Sequence, residues 1–140
     1  MINMEPVITD DRIDLPDFMA DSNPDNRSAV FSLVKATQFS GFPDVMGIYY
    51  ETDEETALRV LKRIRSDAMD RYPVTDISVI LRTGKISIGD YVSIVMAWGR
   101  RSDDAFSACK FVAEEIASEV PMWKYEVRKK EAVHYELDMK

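Results

Sequence analysis

The segment Tyr91–Trp98, YVSIVMAW, is apolar at nearly every position and carries no helical spacing. A strand of that kind belongs in the interior of a sheet, covered on both faces. The rest of the chain must supply that cover. Its 140 residues are near the usual size of one domain and long enough to bury a real core.

The clearest helix lies upstream. Ala57, Leu61, Ile64, Ala68 and Tyr72 recur at spacings of three and four and so share one helical face, while Arg59, Lys62, Arg63 and Asp70 fall mainly elsewhere. Asp53 can cap this helix, with Glu54 and Glu55 at its positive end, and Pro73 stops it. Ser102 can cap a second helix with Asp103 and Asp104 in its first turn. Its buried stripe is Ala105, Ala108, Cys109, Val112 and Ile116, which makes Cys109 a small core residue.

Strands are predicted at Ser28–Ala36, Val45–Glu51 and Ile77–Arg82, from β-branched and aromatic residues without helical period. The turn signal Gly41–Asp44 suggests that the first two form a hairpin. Turns at Thr83–Lys85 and Gly89–Asp90 suggest that the next strands are antiparallel neighbours. In Pro121–Val127, alternation puts Trp123, Tyr125 and Val127 on one side and Met122, Lys124 and Glu126 on the other. The aromatic side is expected to be buried, with Trp123 and Tyr125 as core anchors. A last strand is expected at Val133–Leu137. Residues 1–27 read as an irregular acidic leader with one short helical turn near Leu15–Ala20. Residues 28–140 then form a single α+β domain with two main helices and a mostly antiparallel sheet.

Several functions are excluded. The formal net charge is −7, which disfavours nucleic-acid binding. No apolar stretch approaches the ~20 residues needed to cross a bilayer, and no signal-peptide pattern opens the chain, so a soluble, cytoplasmic protein is expected. A lone cysteine, Cys109, and a lone histidine, His134, argue against disulfides, cysteine-cluster metal sites and His-based triads. There is no phosphate loop, dinucleotide fingerprint, HExxH or GxSxG motif. Cations gather late, at Arg82, Arg100, Arg101, Lys124, Arg128, Lys129 and Lys130.

Two segments together say more. Leu81–Arg82–Thr83–Gly84 is followed by Ile88–Gly89–Asp90 and an apolar strand ending at Arg100–Arg101. After a helix containing Ala105–Phe106 comes Pro121–Met122–Trp123–Lys124–Tyr125–Glu126. In order and spacing this resembles the MoaE family, the large subunits of molybdopterin synthase, from about Ser28 to Glu136. That family pairs a His-Arg-x-Gly turn with Gly-Asp or Gly-Glu, a His-Arg pair and Pro-x-Trp-Lys-x-Glu, the last being the most specific piece.

The resemblance implies an α/β-hammerhead fold and a homodimer. Each protomer would receive the tail of a small ubiquitin-like sulfur-carrier subunit, ending in a Gly-Gly thiocarboxylate. Sulfur would pass to cyclic pyranopterin monophosphate, producing molybdopterin, with no metal or organic cofactor. Residue by residue, Lys124 matches the family's catalytic lysine. Arg82 matches the arginine of the turn and would bind phosphate or support the pocket. Arg101 falls at the His of the His-Arg pair with Arg100 before it; shifted by one residue, it falls on the arginine. Arginines suit a phosphate by bidentate hydrogen bonding, and a lysine suits a thiocarboxylate.

The pattern departs at Ala117, where the family carries a second lysine, at Ala36, where it carries an arginine, and at Leu81, where it carries the turn histidine. These departures motivate an alternative, a non-catalytic paralogue that dimerises or binds a ubiquitin-like tail. Arg100 and Arg101 have a plain reading too, closing a strand and pairing with Asp103 or Asp104.

Overall fold

A computed structural model describes residues 5–14 and 23–129. The helical turn expected at Leu15–Ala20, the strand expected at Val133–Leu137, His134 and Lys130 lie outside the described residues. Within them the order is β1 (Val7–Thr9), β2 (Ser28–Lys35), β3 (Val45–Glu51), α1 (Glu54–Arg71), β4 (Val74–Arg82), β5 (Gly84–Ser87), β6 (Tyr91–Gly99), α2 (Ser102–Glu119) and β7 (Trp123–Arg128). Four strands form one sheet in the order β1-β4-β6-β2, and three form another in the order β5-β3-β7.

β6 is interior, as its composition requires, and antiparallel to β4 on one side and β2 on the other. Its alternate residues enter different cores. Val95 and Ala97 join Ile77, Val79 and Leu81 of β4 beneath the helices. Ile94 and Met96 face the other way, where Ile13, Ala29, Ile80 and Trp98 pack against them. Thus the segment read as an irregular leader contributes twice. Ile13 helps cover the second face, and β1 adds a short strand parallel to β4, opposing Val7 to Ile80.

Both helices bury the stripes their spacing implies. Ala57, Leu61, Ile64 and Ala68 of α1 meet Ala105, Ala108, Cys109 and Val112 of α2 and the sheet. The many alanines let helices and sheet approach closely. Burial pushes the Cys109 thiol up to about 11, so it remains an unreactive core group. The helix starts differ in detail from expectation: neither cap position makes a side-chain cap to the backbone, and Arg101, not Ser102, occupies the second one.

The pairing of strands differs most. β2 and β3 are not a hairpin, because β2 pairs with β6 and β3 pairs with β5 and β7 in the other sheet. β4 and β6, the two strands that flank the turns at Gly84 and Gly89, are antiparallel neighbours as expected, but β5 between them pairs with neither. The chain leaves the four-stranded sheet after Arg82, runs as β5 beside β3, and returns as β6 beside β4. Gly84 and Gly89 sit at the two corners with φ of 86° and 93°, a region side chains disfavour. The expected turn at Thr83–Lys85 is therefore a change of sheet.

A largely buried ion pair ties α1 to β4. Arg65 Nη2 donates to Asp76 Oδ1 at 2.9 Å and Arg65 Nε donates to the Ile77 carbonyl at 2.8 Å. Asp76 Oδ1 also accepts the Ile77 N–H at 2.8 Å. Removing one partner strands the other inside the protein. We expect Asp76→Ala to lower stability by about 3 kcal/mol in urea unfolding, with unchanged slope. Arg100→Ala, which removes the exposed Arg100–Asp25 pair, is expected to change it by less than about 0.5 kcal/mol.

Candidate active site

β7 runs antiparallel to β3 and sets Lys124 opposite Tyr50. Lys124 Nζ lies 5.9 Å from the centroid of the Tyr50 ring, within cation–π range. Beside this pair is a cavity of about 210 Å³ whose lining includes Lys124, Tyr50, Ser32, Ser93, Leu81 and Ala117. The cavity forms where the helix-facing side of the larger sheet meets β3 and β7. Sheet register explains its walls: Leu81 opposes Ser93, and Ser32 opposes Val95, so all face one side. Ala113, Ile116 and Ala117 close it from one face of α2.

Most of the lining is apolar. The polar groups are one ammonium, one phenol and the hydroxyls of Ser32 and Ser93. Burial raises the Tyr50 pKa above its ordinary value, so at neutral pH the phenol is a hydrogen-bond donor. Tyr50, Ser32 and Ser93 carry no motif signal in the sequence, because only non-local strand pairing gathers them around Lys124.

Trp123 and Tyr125 correct the expectation of buried anchors: they are 53% and 52% exposed. Val127 alone on that side is buried, in the further part of β7. The alternation was right in phase, but the smaller sheet has no layer over Trp123 and Tyr125 among the described residues.

Glu126 has a distinct role. Its Oε2 accepts the N–H groups of Phe39 at 2.7 Å and Ser40 at 3.0 Å, fastening the loop between β2 and β3 to β7. Arg128 beside it binds Asp44 with Nε 3.0 Å from each carboxylate oxygen. Slight desolvation works to raise the Glu126 pKa. Hydrogen bonds from the Ser40 side chain and the Phe39 and Ser40 N–H groups, with Arg128 nearby, outweigh it and hold the pKa below the ordinary value.

Arg82 does not join Lys124. It follows Leu81 on β4, so the two side chains point to opposite faces; Leu81 lines the Lys124 cavity and Arg82 a separate pocket. Arg100 and Arg101 are also elsewhere. Arg100 lies five residues beyond Val95, the last β6 residue lining the cavity, or about 17 Å of strand. It pairs with Asp25 at 3.1 Å, not with Asp103 or Asp104. Arg101 is exposed and precedes α2.

The model of the MoaE protein family matches residues 8–119. The chain belongs to the MoaE family. It is 34% identical over 80 residues to the molybdopterin synthase catalytic subunit of Pyrococcus abyssi, covering 57% of this chain and 54% of that protein. The chain thus spans about half the length of that curated relative. In fold it is similar to the molybdopterin synthase structure from Staphylococcus aureus, with a TM-score of 0.77 at 23% identity over 91% of this chain and 93% of the other. It is also similar to a chain of the complex of subunits 1 and 2 of molybdopterin-converting factor from Helicobacter pylori, with a TM-score of 0.74 at 15% identity, covering 88% and 84%.

Against the MoaE pattern, two departures meet in one place. Ala117 and Leu81 both line the Lys124 cavity, so this MoaE chain has an alanine and a leucine where the pattern has a lysine and a histidine. The third, Ala36, is fully buried in the cluster of Ile48, Tyr50, Ile86 and Val92. No helix among the described residues is long and apolar enough to cross a membrane.

Glu126→Gln tests the fastening of the loop. A depressed carboxyl pKa contributes stability that is full above the unfolded value, about 4.3, and is lost as pH falls through the folded value. We expect the variant to melt below the wild type at pH 7, and the gap to close as the pH falls through the unfolded value and then the depressed folded one.

Proposed function

We propose that this MoaE chain is the large subunit of a molybdopterin synthase. It takes sulfur from the thiocarboxylated C-terminus of a small ubiquitin-like subunit and places it on cyclic pyranopterin monophosphate. The observation that carries this reading is Lys124, from the most family-specific segment, at the mouth of a mostly apolar cavity with the Tyr50 phenol beside it. The Helicobacter pylori assembly of two subunits supports a small-subunit partner.

The cavity suits that chemistry physically. A Gly-Gly tail has no side chains and can enter a narrow space in extended form. Its terminal thiocarboxylate is an anion, and in apolar surroundings its attraction to an ammonium is screened far less than in water. Lys124 neutralises and orients it; Tyr50 and the two serines donate hydrogen bonds. Once the sulfur has bonded to the pterin, water adds to the acyl carbon and the C–S bond breaks with its electron pair on sulfur. The tail departs as a carboxylate, and Lys124 stabilises the oxyanion formed on the way. The leucine and alanine that replace polar family residues dry the site further and leave Lys124 as its one ammonium.

Arg100 and Arg101 fit the phosphate of the pterin only from a second copy of the chain. In one protomer Arg100 stands about 17 Å along β6 from the cavity wall, and Arg101, just before α2, lies twelve residues before Ala113, about 18 Å along the helix axis. Homodimerisation therefore belongs to the proposal.

Single-turnover sulfur transfer tests it. With thiocarboxylated small subunit and cyclic pyranopterin monophosphate, we expect the dithiolene product from the wild type and a rate at least about 100-fold lower from Lys124→Ala. Tight binding of the small subunit with no product from the wild type would favour the non-catalytic paralogue, for which Ala117 and Leu81 in the cavity are the specific argument.

A further inference from the structure

On the opposite face from Lys124, at the end of the larger sheet, Arg12, Lys35, Arg82, Asp90 and Tyr91 line a polar pocket of about 140 Å³. Three cations and one carboxylate give it a local charge of +2 in a protein whose net charge is −7. They come from four separate parts of the chain. Arg12 belongs to the segment after β1, Lys35 and Arg82 end β2 and β4, and Asp90 precedes β6. Sequence spacing alone gives no hint of this convergence.

Arg82 is the anchor. It is only 7% exposed, yet its donors are poorly used. Nη2 reaches the Lys85 carbonyl at 3.4 Å, Nη1 stands 3.7 Å from Asp90 Oδ2, and the buried Nε has no acceptor among the described residues. Arg12 reaches Asp90 Oδ1 at 3.4 Å. Charge-assisted pairs normally close to about 2.7–2.9 Å, so Asp90 balances charge here without saturating either guanidinium. Among the described residues Lys35 Nζ has only a distant contact, 5.8 Å from the Tyr91 ring centroid. A buried guanidinium with unused donors is costly, and a planar fork of N–H groups matches an oxyanion.

Size narrows the ligand. The pocket holds far more than the space one water needs, ~10–15 Å³, and falls well short of the ~300 Å³ at which pockets for whole organic ligands begin. We infer that the Arg12–Lys35–Arg82 pocket binds a phosphate group, separately from the Lys124 cavity. That group is either inorganic phosphate or the phosphate of an ester whose remainder lies outside. The inference does not depend on sulfur transfer.

The test is ³¹P NMR and calorimetric titration of the full chain with inorganic phosphate, without small subunit. Arg12 and Lys35 are exposed, so the double variant Arg12→Gln/Lys35→Gln should keep the fold, checked by its melting temperature. We expect it to bind phosphate about tenfold or more weakly, and Arg82→Gln to abolish binding. Lys124→Ala should bind as the wild type does. Adding cyclic pyranopterin monophosphate separates the sources: competition identifies the ester phosphate as an occupant, and its absence identifies the free anion. No phosphate binding by the wild type, or equal binding by the double variant, would overturn the inference. So would phosphate binding that disappears in Lys124→Ala.

Discussion

The burial of both faces of β6 is the constraint on which this structure depends. Val95 and Ala97 need the helices, and Ile94 and Met96 need Ile13, Ala29 and Ile80. Neither cover is local. A strand buried on both sides must also satisfy every backbone group through its neighbours, which here are β4 and β2. β5 is thereby excluded from β6 although the two are joined by a short turn, and it pairs with β3 instead. The glycines at 84 and 89, with positive φ, make this excursion possible.

The same sheet divides the functional surface in two. On its helix-facing side Leu81, Ser93 and Ser32 end against α2 and β7, leaving the cavity at Lys124. On its other side Arg82, the residue after Leu81, forms a polar pocket with Lys35, Tyr91 and Arg12. Residues adjacent in one motif thus serve different sites, since successive side chains of a strand point to opposite faces. A turn motif read as one functional unit, Leu81–Arg82–Thr83–Gly84, is in space a wall of one pocket and the floor of another.

What the sequence made legible follows from locality. The α1 stripe of Ala57, Leu61, Ile64 and Ala68 is a property of one helix and is buried as read. The interior strand is a property of eight residues. Pairing is not local: Gly41–Asp44 signals a turn, but whether β2 and β3 then pair depends on what β6 and β7 offer them. Alternation likewise assigns Trp123 and Tyr125 to one side of β7 without saying which layer, if any, covers that side. Lys124 was visible through the family-specific segment around it, whereas Tyr50, Ser32 and Ser93 became neighbours of Lys124 only through register. The role of Glu126 in holding Phe39 and Ser40 was invisible because its partners lie 86 and 87 residues away.

In the proposed reaction the carboxyl-terminal tail of a small ubiquitin-like subunit enters the cavity at Lys124. The most direct measurement is a ¹H–¹⁵N NMR titration of the full chain with a peptide of that tail ending in Gly-Gly. Saturable shifts are expected at Ser32, Ser93, Ala117 and Lys124, with Gly89 and Lys35 unmoved. Shifts confined to other surfaces, or none at saturating peptide, would contradict it.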